Sequence, residues 1–222
     1  MPAAWHPRGW RAPMGSAAIN CRILIFAKAP TPGEVKTRLI PALGEAGAAQ
    51  LQGRLIERTL RTAMAAGMDA PQLWCAPGPE DPFFAACAKR YDISLRAQGE
   101  GDLGMRMAHA LESALASGTP GLLIGSDCPA LTAPYLRAAA AALAGGNDAV
   151  FGPAEDGGYV LIGLARGSPV QLFEDIAWGT ATVMQETRRR LARANWRWRE
   201  LAPLWDLDRP EDLARLHQLL GD

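Results

Sequence analysis

Ile23-Leu24-Ile25-Phe26-Ala27 is an apolar run, and the polar loop Lys28-Ala29-Pro30-Thr31-Pro32-Gly33-Glu34-Val35-Lys36-Thr37-Arg38 follows it directly. An apolar run without alternation is typical of a strand that is buried on both faces of a parallel sheet. In an open parallel sheet, ligands bind where loops leave the C-terminal ends of the strands. The stretch therefore predicts a buried strand with a ligand-binding loop directly after it.

The rest of the chain repeats this alternation of short apolar runs with longer segments of helical spacing. The apolar runs predict strands at 72–76, 93–95, 121–125, 149–151 and 159–162. The helical spacing predicts helices at 44–66, 79–90, 102–115, 132–143, 180–193 and 213–220. Residues 164–179 are irregular and are predicted to form a small lobe or a lid. Strands that alternate with helices indicate an α/β fold with a mostly parallel central sheet.

Composition limits the classes of function. The chain has 222 residues, of which 49% are hydrophobic, and its 23 basic and 23 acidic residues give no net charge. A protein that binds nucleic acid mainly by charge would carry a basic excess, so we expect no nucleic-acid partner. No apolar run approaches the roughly 20 residues that cross a bilayer, so we expect no membrane partner.

We predict one domain at 21–222, preceded by a flexible N-terminal extension at 1–20. The extension lacks the continuous apolar segment of a secretory signal. The four cysteines are scattered and include no C-x-x-C pair, which argues against a zinc or redox site. They are expected to be reduced thiols, and the protein is expected to be cytoplasmic.

The loop after the first strand is a candidate phosphate site. Lys28, Lys36 and Arg38 can neutralise a nucleoside diphosphate or triphosphate, and Gly33 makes the backbone accessible. The loop is neither a Walker A sequence nor G-x-G-x-x-G. The alternative is a surface turn with solvated basic residues. After the third strand, Gln98 and Arg106 can bind a base edge or a phosphate.

Acidic residues follow two other strands and precede the last helix. Asp127 stands where Mg²⁺ or Mn²⁺ would find an oxygen ligand, although it could instead cap a turn. Asp208 and Glu211 form a capping-box pattern, which accounts for both residues and leaves Asp206 without a role. Asp156-Gly157-Gly158 allows the backbone to approach a ligand closely, or else forms a turn between strands.

Several of these motifs together resemble the bacterial family of domain of unknown function 2064, sometimes labelled as arsenosugar-biosynthesis-type glycosyltransferases. The motifs are Ile25-Phe26-Ala27-Lys28-Ala29-Pro30, Pro32-Gly33, Val35-Lys36-Thr37-Arg38-Leu39, Asp102-Leu103-Gly104 with Arg106-Met107, Gly125-Ser126-Asp127-Cys128-Pro129 and Asp156-Gly157-Gly158-Tyr159. The resemblance covers most of 22–220. It implies the GT-A fold of nucleotide-diphospho-sugar transferases, a Rossmann-like three-layer α/β/α sandwich.

Two shorter resemblances concern the site. The pattern from Lys28 to Leu39 is similar to the first loop of phospholactate guanylyltransferases. Asp208-Arg209-Pro210-Glu211-Asp212-Leu213 is similar to the D-T-P-E-D-L sequence of sugar cytidylyltransferases, in which the leading Asp binds magnesium. This implies that Asp208 is a second metal ligand beside Asp127, although Arg209 replaces the small Thr of that pattern.

The first functional hypothesis is a metal-dependent transferase that binds a nucleotide or nucleotide-sugar and moves a glycosyl group to a small-molecule acceptor. Asp127 and Asp208 would hold Mg²⁺ or Mn²⁺, and Asp156, with Gly157 and Gly158 beside it, would be the catalytic base or hydroxyl orienter on the acceptor side. The alternatives are a nucleotidyltransferase that releases pyrophosphate and a nucleotide-binding module without turnover. The base, the sugar, the acceptor and the oligomeric state stay open.

Overall fold

A seven-stranded sheet forms the centre of the protein, whose structure is a computed structural model that describes residues 20–167 and 169–221. The strands are β1 (Arg22–Lys28), β2 (Gln72–Ala76), β3 (Ser94–Ala97), β4 (Gly121–Gly125), β5 (Ala149–Pro153), β6 (Tyr159–Leu164) and β7 (Trp198–Glu200). Their order in the sheet is β3-β2-β1-β4-β6-β5-β7. Strand β6 is antiparallel to both of its neighbours, and the other pairings are parallel. The predicted α/β fold with a mostly parallel sheet is confirmed.

Helices cover both faces of this sheet. They are α1 (Ile40–Ala65), α2 (Pro82–Tyr91), α3 (Leu103–Ala116), α4 (Ala133–Ala144), α5 (Pro169–Phe173), α6 (Val183–Arg193) and α7 (Asp212–Leu220). A 3-10 turn at Thr37–Leu39 precedes α1. Gly44 is not helical (φ 70°, ψ 166°), so the continuous part of α1 begins after it. The predicted extension at 1–20 lies, apart from Asn20, outside the described residues.

Alternate residues of the buried strands belong to separate hydrophobic cores. In β1, Ile23 and Ile25 pack in the core that includes α1, α2 and α4, whereas Leu24 and Phe26 pack in the core that includes α3 and α6. Each fully buried aliphatic side chain contributes about 1.5–3 kcal/mol. Burial on both sides explains why β1 is apolar throughout, and it produces the three layers that were predicted.

The structure corrects two details of the sequence analysis. The segment 164–179 is not a separate lobe, because it contains α5 and its residues Leu172, Phe173 and Ile176 are buried. Asp208 does not cap the last helix. Helix α7 begins four residues later, and the Asp212 carboxylate instead accepts the backbone N–H of Asp208 at 3.0 Å.

Candidate functional site

The loop between β1 and α1 brings the three predicted phosphate-binding cations to the C-terminal edge of the sheet. Lys28 ends β1, and its ammonium donates to the Glu34 carbonyl across the loop at 2.9 Å. Lys36 has a left-handed backbone (φ 48°, ψ 40°), which costs a non-glycine residue about 1–2 kcal/mol. Arg38 is exposed and forms an ion pair with Asp208. The loop therefore presents three cations, of which Lys28 already has a carbonyl partner and Arg38 already has a carboxylate partner.

Lys36 connects this loop to two distant parts of the chain. Its ammonium lies 2.6 Å from Asp127 Oδ1 and donates to the Leu207 carbonyl at 2.6 Å. The Lys36 side chain is 5% exposed, whereas that of Asp127 is 52% exposed. The Leu207 N–H in turn donates to the Asp127 carbonyl at 2.8 Å. The ammonium is thus covered, and the carboxylate beside it stays open to solvent.

Asp206 is a candidate site residue that the sequence analysis left without a role. It is partly buried and lines the same cavity as Asp127. Burial, together with the nearby carboxylates of Asp156, Asp127 and Asp208, raises the pKa of Asp206. The signal was available in the sequence, because Asp206-Leu207-Asp208 places two carboxylates on either side of a single leucine.

Two adjoining depressions open at this edge of the sheet. The deeper one has a volume of about 390 Å³, and the more open one has a volume of about 370 Å³. Lys28, Gln52 and Asp127 line both, so they mark the boundary between the two. Lys36, Arg38 and Asp208 line the open depression. The deeper cavity has an apolar wall formed by Phe26, Leu103, Met107, Leu123 and Ile162.

Gln98 lines the deeper cavity, but most of its hydrogen bonds are internal. Its amide nitrogen donates to the Ala27 carbonyl at 3.2 Å and to the Trp74 carbonyl at 3.0 Å, which ties the ends of β1 and β2 together. Its amide oxygen accepts from Arg106 at 3.0 Å. Gln98 and the Asp102 carbonyl, which accepts from Arg106 Nε at 3.3 Å, therefore orient the Arg106 guanidinium.

The predicted glycine positions and Asp156 lie in turns of the same region. Gly33 adopts φ 80° in the cationic loop. At Gly157 (φ 94°) a Cβ atom would lie 2.2 Å from the Ala181 carbonyl oxygen, so its close approach is to the protein's own backbone. Asp156 is exposed, and its Oδ1 accepts the N–H of Gly158 at 2.9 Å. The negative charge of Asp156 is close enough to Asp206 to contribute to the raised pKa of the Asp206 carboxyl.

The carboxylates at this edge fit a divalent cation in their chemistry. Within the described ranges, no three acidic, histidine or cysteine side chains are grouped closely enough to hold an ion by themselves. Mg²⁺ is commonly held by one or two carboxylates together with substrate phosphates, and Asp127, Asp206 and Asp208 provide that type of oxygen ligand. The pKa of Asp206 is raised mainly by its burial and further by the neighbouring carboxylates, so a cation bound nearby would favour its ionised form.

Comparisons with known proteins identify the family and the fold. Residues 59–180 match the family described as uncharacterized proteins conserved in bacteria, domain of unknown function 2064. The chain belongs to this family. A structure named as a nucleotide-diphospho-sugar transferase from Desulfovibrio desulfuricans G20 is 33% identical to this member, with a TM-score of 0.81, covering 91% of this chain and 88% of its own.

More distant structures share the fold of this family member. A nucleotidyl transferase from Methanothermobacter thermautotroptrophicus superposes with a TM-score of 0.63 at 17% identity, covering 91% of this chain and 99% of its own. The 4-diphosphocytidyl-2C-methyl-D-erythritol synthase from Anaerococcus prevotii DSM 20548 superposes with a TM-score of 0.60 at 12% identity, covering 91% of this chain and 98% of its own. No curated protein gives a significant match. None of the helices in the described residues is long and apolar enough to span a membrane.

Proposed function

We propose that this protein is a divalent-cation-dependent transferase that binds a nucleotide-sugar and transfers its glycosyl group to a small-molecule acceptor. The observation that carries the proposal is the meeting of Lys36, Asp127 and the segment Asp206–Asp208 at the C-terminal edge of the sheet. Phosphate-binding cations and metal-binding carboxylates lie side by side there, and a nucleoside diphosphate with a divalent cation needs both.

The residues of the site would divide the work as follows. Lys28, Lys36 and Arg38 would bind the phosphates, and Arg106, which donates to Gln98 at the rim of the deeper cavity, is a further candidate cation. Asp127 and Asp208 would hold Mg²⁺ or Mn²⁺, and the partly buried Asp206 lines the deeper cavity together with Asp127.

The cation, when bound, would stabilise the negative charge of the departing diphosphate. Asp156, in the exposed turn with Gly157 and Gly158, faces solvent and would accept a proton from, or orient, the acceptor hydroxyl. We also infer that the protein acts in the cytoplasm, where its four buried cysteines stay reduced.

Calorimetric titration tests this proposal directly. Nucleoside diphosphates and their sugars are titrated with and without Mn²⁺, and we expect binding that needs the ion. Asp127→Asn and Asp208→Asn should each weaken it at least about tenfold. Asp69→Asn is the matched control, because Asp69 is exposed and its charge acts on Cys21 at the opposite end of β1. Absence of metal-dependent binding by any nucleotide would exclude the proposal.

Nucleotidyl transfer is the second candidate, and the three cations of the first loop favour it. Lys28, Lys36 and Arg38 line one open depression and match the charge of a triphosphate. Transfer from a triphosphate releases pyrophosphate, whereas glycosyl transfer releases a nucleoside diphosphate. A panel of acceptors with either donor, analysed for these two products, distinguishes the reactions. The 33% identical relative named as a nucleotide-diphospho-sugar transferase supports glycosyl transfer as the first candidate.

A further inference from the structure

Two cation–carboxylate pairs occupy the place where the proposed substrate would bind. Lys36 pairs with Asp127 at 2.6 Å, and Arg38 pairs with Asp208. In both pairs the cation is a phosphate-binding group and the carboxylate is a metal-binding group. Each of these two groups proposed to bind phosphate is therefore held by a group proposed to bind the metal.

Lys36 is the less accessible of the two cations. Its side chain is 5% exposed, and its ammonium has two oxygen partners, Asp127 Oδ1 and the Leu207 carbonyl. An ammonium has three donors, so one remains for a ligand. The left-handed backbone of Lys36 shows that the loop is shaped to hold this side chain in place. A second cation that binds Asp127 is therefore repelled by the Lys36 ammonium, which lies 2.6 Å from Asp127 Oδ1.

Neither part of the substrate fits this arrangement alone. A divalent cation by itself would compete with Lys36 and Arg38 for the two carboxylates. A phosphate group by itself would compete with Asp127 and Asp208 for the two cations. When both arrive, the carboxylates take the metal and the cations take the phosphates, so that no charge is left without a partner.

We infer that Lys36 makes the site select the metal-complexed diphosphate or triphosphate, by making the binding of the divalent cation and the phosphates strongly interdependent. This inference rests on the proposed function and adds which form of the substrate the site accepts. Because the interdependence is an equilibrium property, each ligand must strengthen the other by the same factor. Arg38 contributes to it through Asp208 but less strongly, because its side chain is 65% exposed and more fully screened.

The test is a binding cycle that requires no turnover. Calorimetry gives the dissociation constant of Mn²⁺ alone and, in a chelator, that of UDP, GDP, CDP or ADP alone. The dissociation constant of Mn²⁺ is then measured with the nucleotide present, and that of the nucleotide with Mn²⁺ present. They are then corrected for the Mn²⁺–nucleotide complex in solution. In the unmodified protein we expect the two ligands to strengthen each other at least about tenfold.

Lys36→Met keeps the length of the side chain and removes its charge. We expect it to tighten Mn²⁺ alone about tenfold, to weaken the nucleotide and to bring the mutual strengthening to within about threefold. Arg38→Met is a second variant at an exposed position, in case the buried change prevents folding, and it should shift both constants in the same directions. Arg61→Met, an exposed arginine on α1 that pairs with Glu57, is the control and should shift neither.

The possible outcomes separate the two proposals. If Lys36→Met leaves the interdependence of Mn²⁺ and nucleotide intact, Lys36 is not its cause; the inference is then overturned and the proposed function stands. If Mn²⁺ and nucleotide bind independently of each other to within twofold, nucleotide binding does not need the metal, and the proposed function and the inference are both overturned. If no nucleotide binds even with Mn²⁺ present, the proposed function fails, and the inference fails with it.

Discussion

The backbone N–H of Leu207 donates to the carbonyl oxygen of Asp127 at 2.8 Å. This hydrogen bond joins the loop after β4 to the segment between β7 and α7. It involves no side chain, so the position of Asp206 and Asp208 beside Asp127 is set by the backbone. Substitution of any of these carboxylates should therefore change the charge of the site without dispersing the remaining ones.

Asp206→Asn is expected to stabilise the ligand-free protein while it weakens binding. The pKa of Asp206 is raised in the folded state, so its contribution to stability is present at low pH and is lost as the pH rises through that pKa. The neutral Asn side chain avoids this loss of stability. In the presence of a chelator at pH 7, the Tm should rise by about 2–4 °C for each 1 kcal/mol by which the free energy of unfolding increases. Mn²⁺-dependent nucleotide binding should fall. A lower Tm than that of the Asp69→Asn control would contradict this.

Gly157→Ala is expected to destabilise the protein. The new Cβ atom would lie 2.2 Å from the Ala181 carbonyl oxygen, and φ at this position is 94°. Strain of this kind costs about 1–3 kcal/mol, to be measured by urea unfolding. Gly158→Ala is the neighbouring control, because its Cβ atom would meet nothing closer than the Asp156 carboxylate at 3.3 Å. Equal losses in the two variants would refute the prediction.

Asp148→Asn is expected to lower stability in a pH-dependent way. The Asp148 carboxylate is 4% exposed, pairs with Arg166 and accepts the Arg197 N–H at 2.8 Å. The hydrogen bond from Arg166 lowers the pKa of Asp148. Its contribution is therefore present above the unfolded-state pKa near 4 and is lost as the pH falls through the folded-state pKa.

At pH 7 the Asp148→Asn variant should lose about 1–3 kcal/mol in urea unfolding. The difference from the unmodified protein should shrink progressively as the pH of the measurement falls from the unfolded-state pKa through the lower folded-state pKa of Asp148. Asp69→Asn, at an exposed site, should show little loss at either pH. A loss for Asp148→Asn that is independent of pH would show that its charge is not the cause.

The four cysteine thiols are expected to be unreactive in the folded protein. Each is at most 5% exposed, and burial raises the pKa of Cys21, Cys75 and Cys128 to about 12 and that of Cys87 to about 11. Thiolate is the reactive form, and almost none exists at pH 8. A disulfide reagent such as Ellman's should label four thiols in urea and less than one without it. Rapid labelling of the native protein would contradict this prediction.

The sequence was sufficient to predict six of the seven strands and six of the seven helices in the described residues, and the edge at which the polar loops meet. Parallel strands place their C-terminal ends together, so Lys36 and Asp127 could be expected near each other although 91 residues separate them. Periodicity could not reveal α5, because a five-residue helix is too short to show it. It also could not show that the last helix begins at Asp212, whose carboxylate accepts the N–H groups of Asp208 and Arg209.

The roles of two other residues depended on contacts that only the folded chain contains. Gly157 suits a ligand-binding turn in sequence, but the atom that approaches it is the Ala181 carbonyl oxygen. Gln98 suits a residue that reads a base, but its amide bonds the carbonyls of Ala27 and Trp74. Each contact joins positions more than twenty residues apart, and local patterns carry no information about such partners.

The segment Asp206–Asp208 lies beyond β7, the last strand that the sheet receives. During synthesis on the ribosome, a growing chain would therefore have all seven strands and the cationic loop before two of its acidic residues leave the exit tunnel. Lys36 would lack its carbonyl partner for that interval. Proteolytic removal of the segment after β7 would likewise take away this carbonyl partner of Lys36.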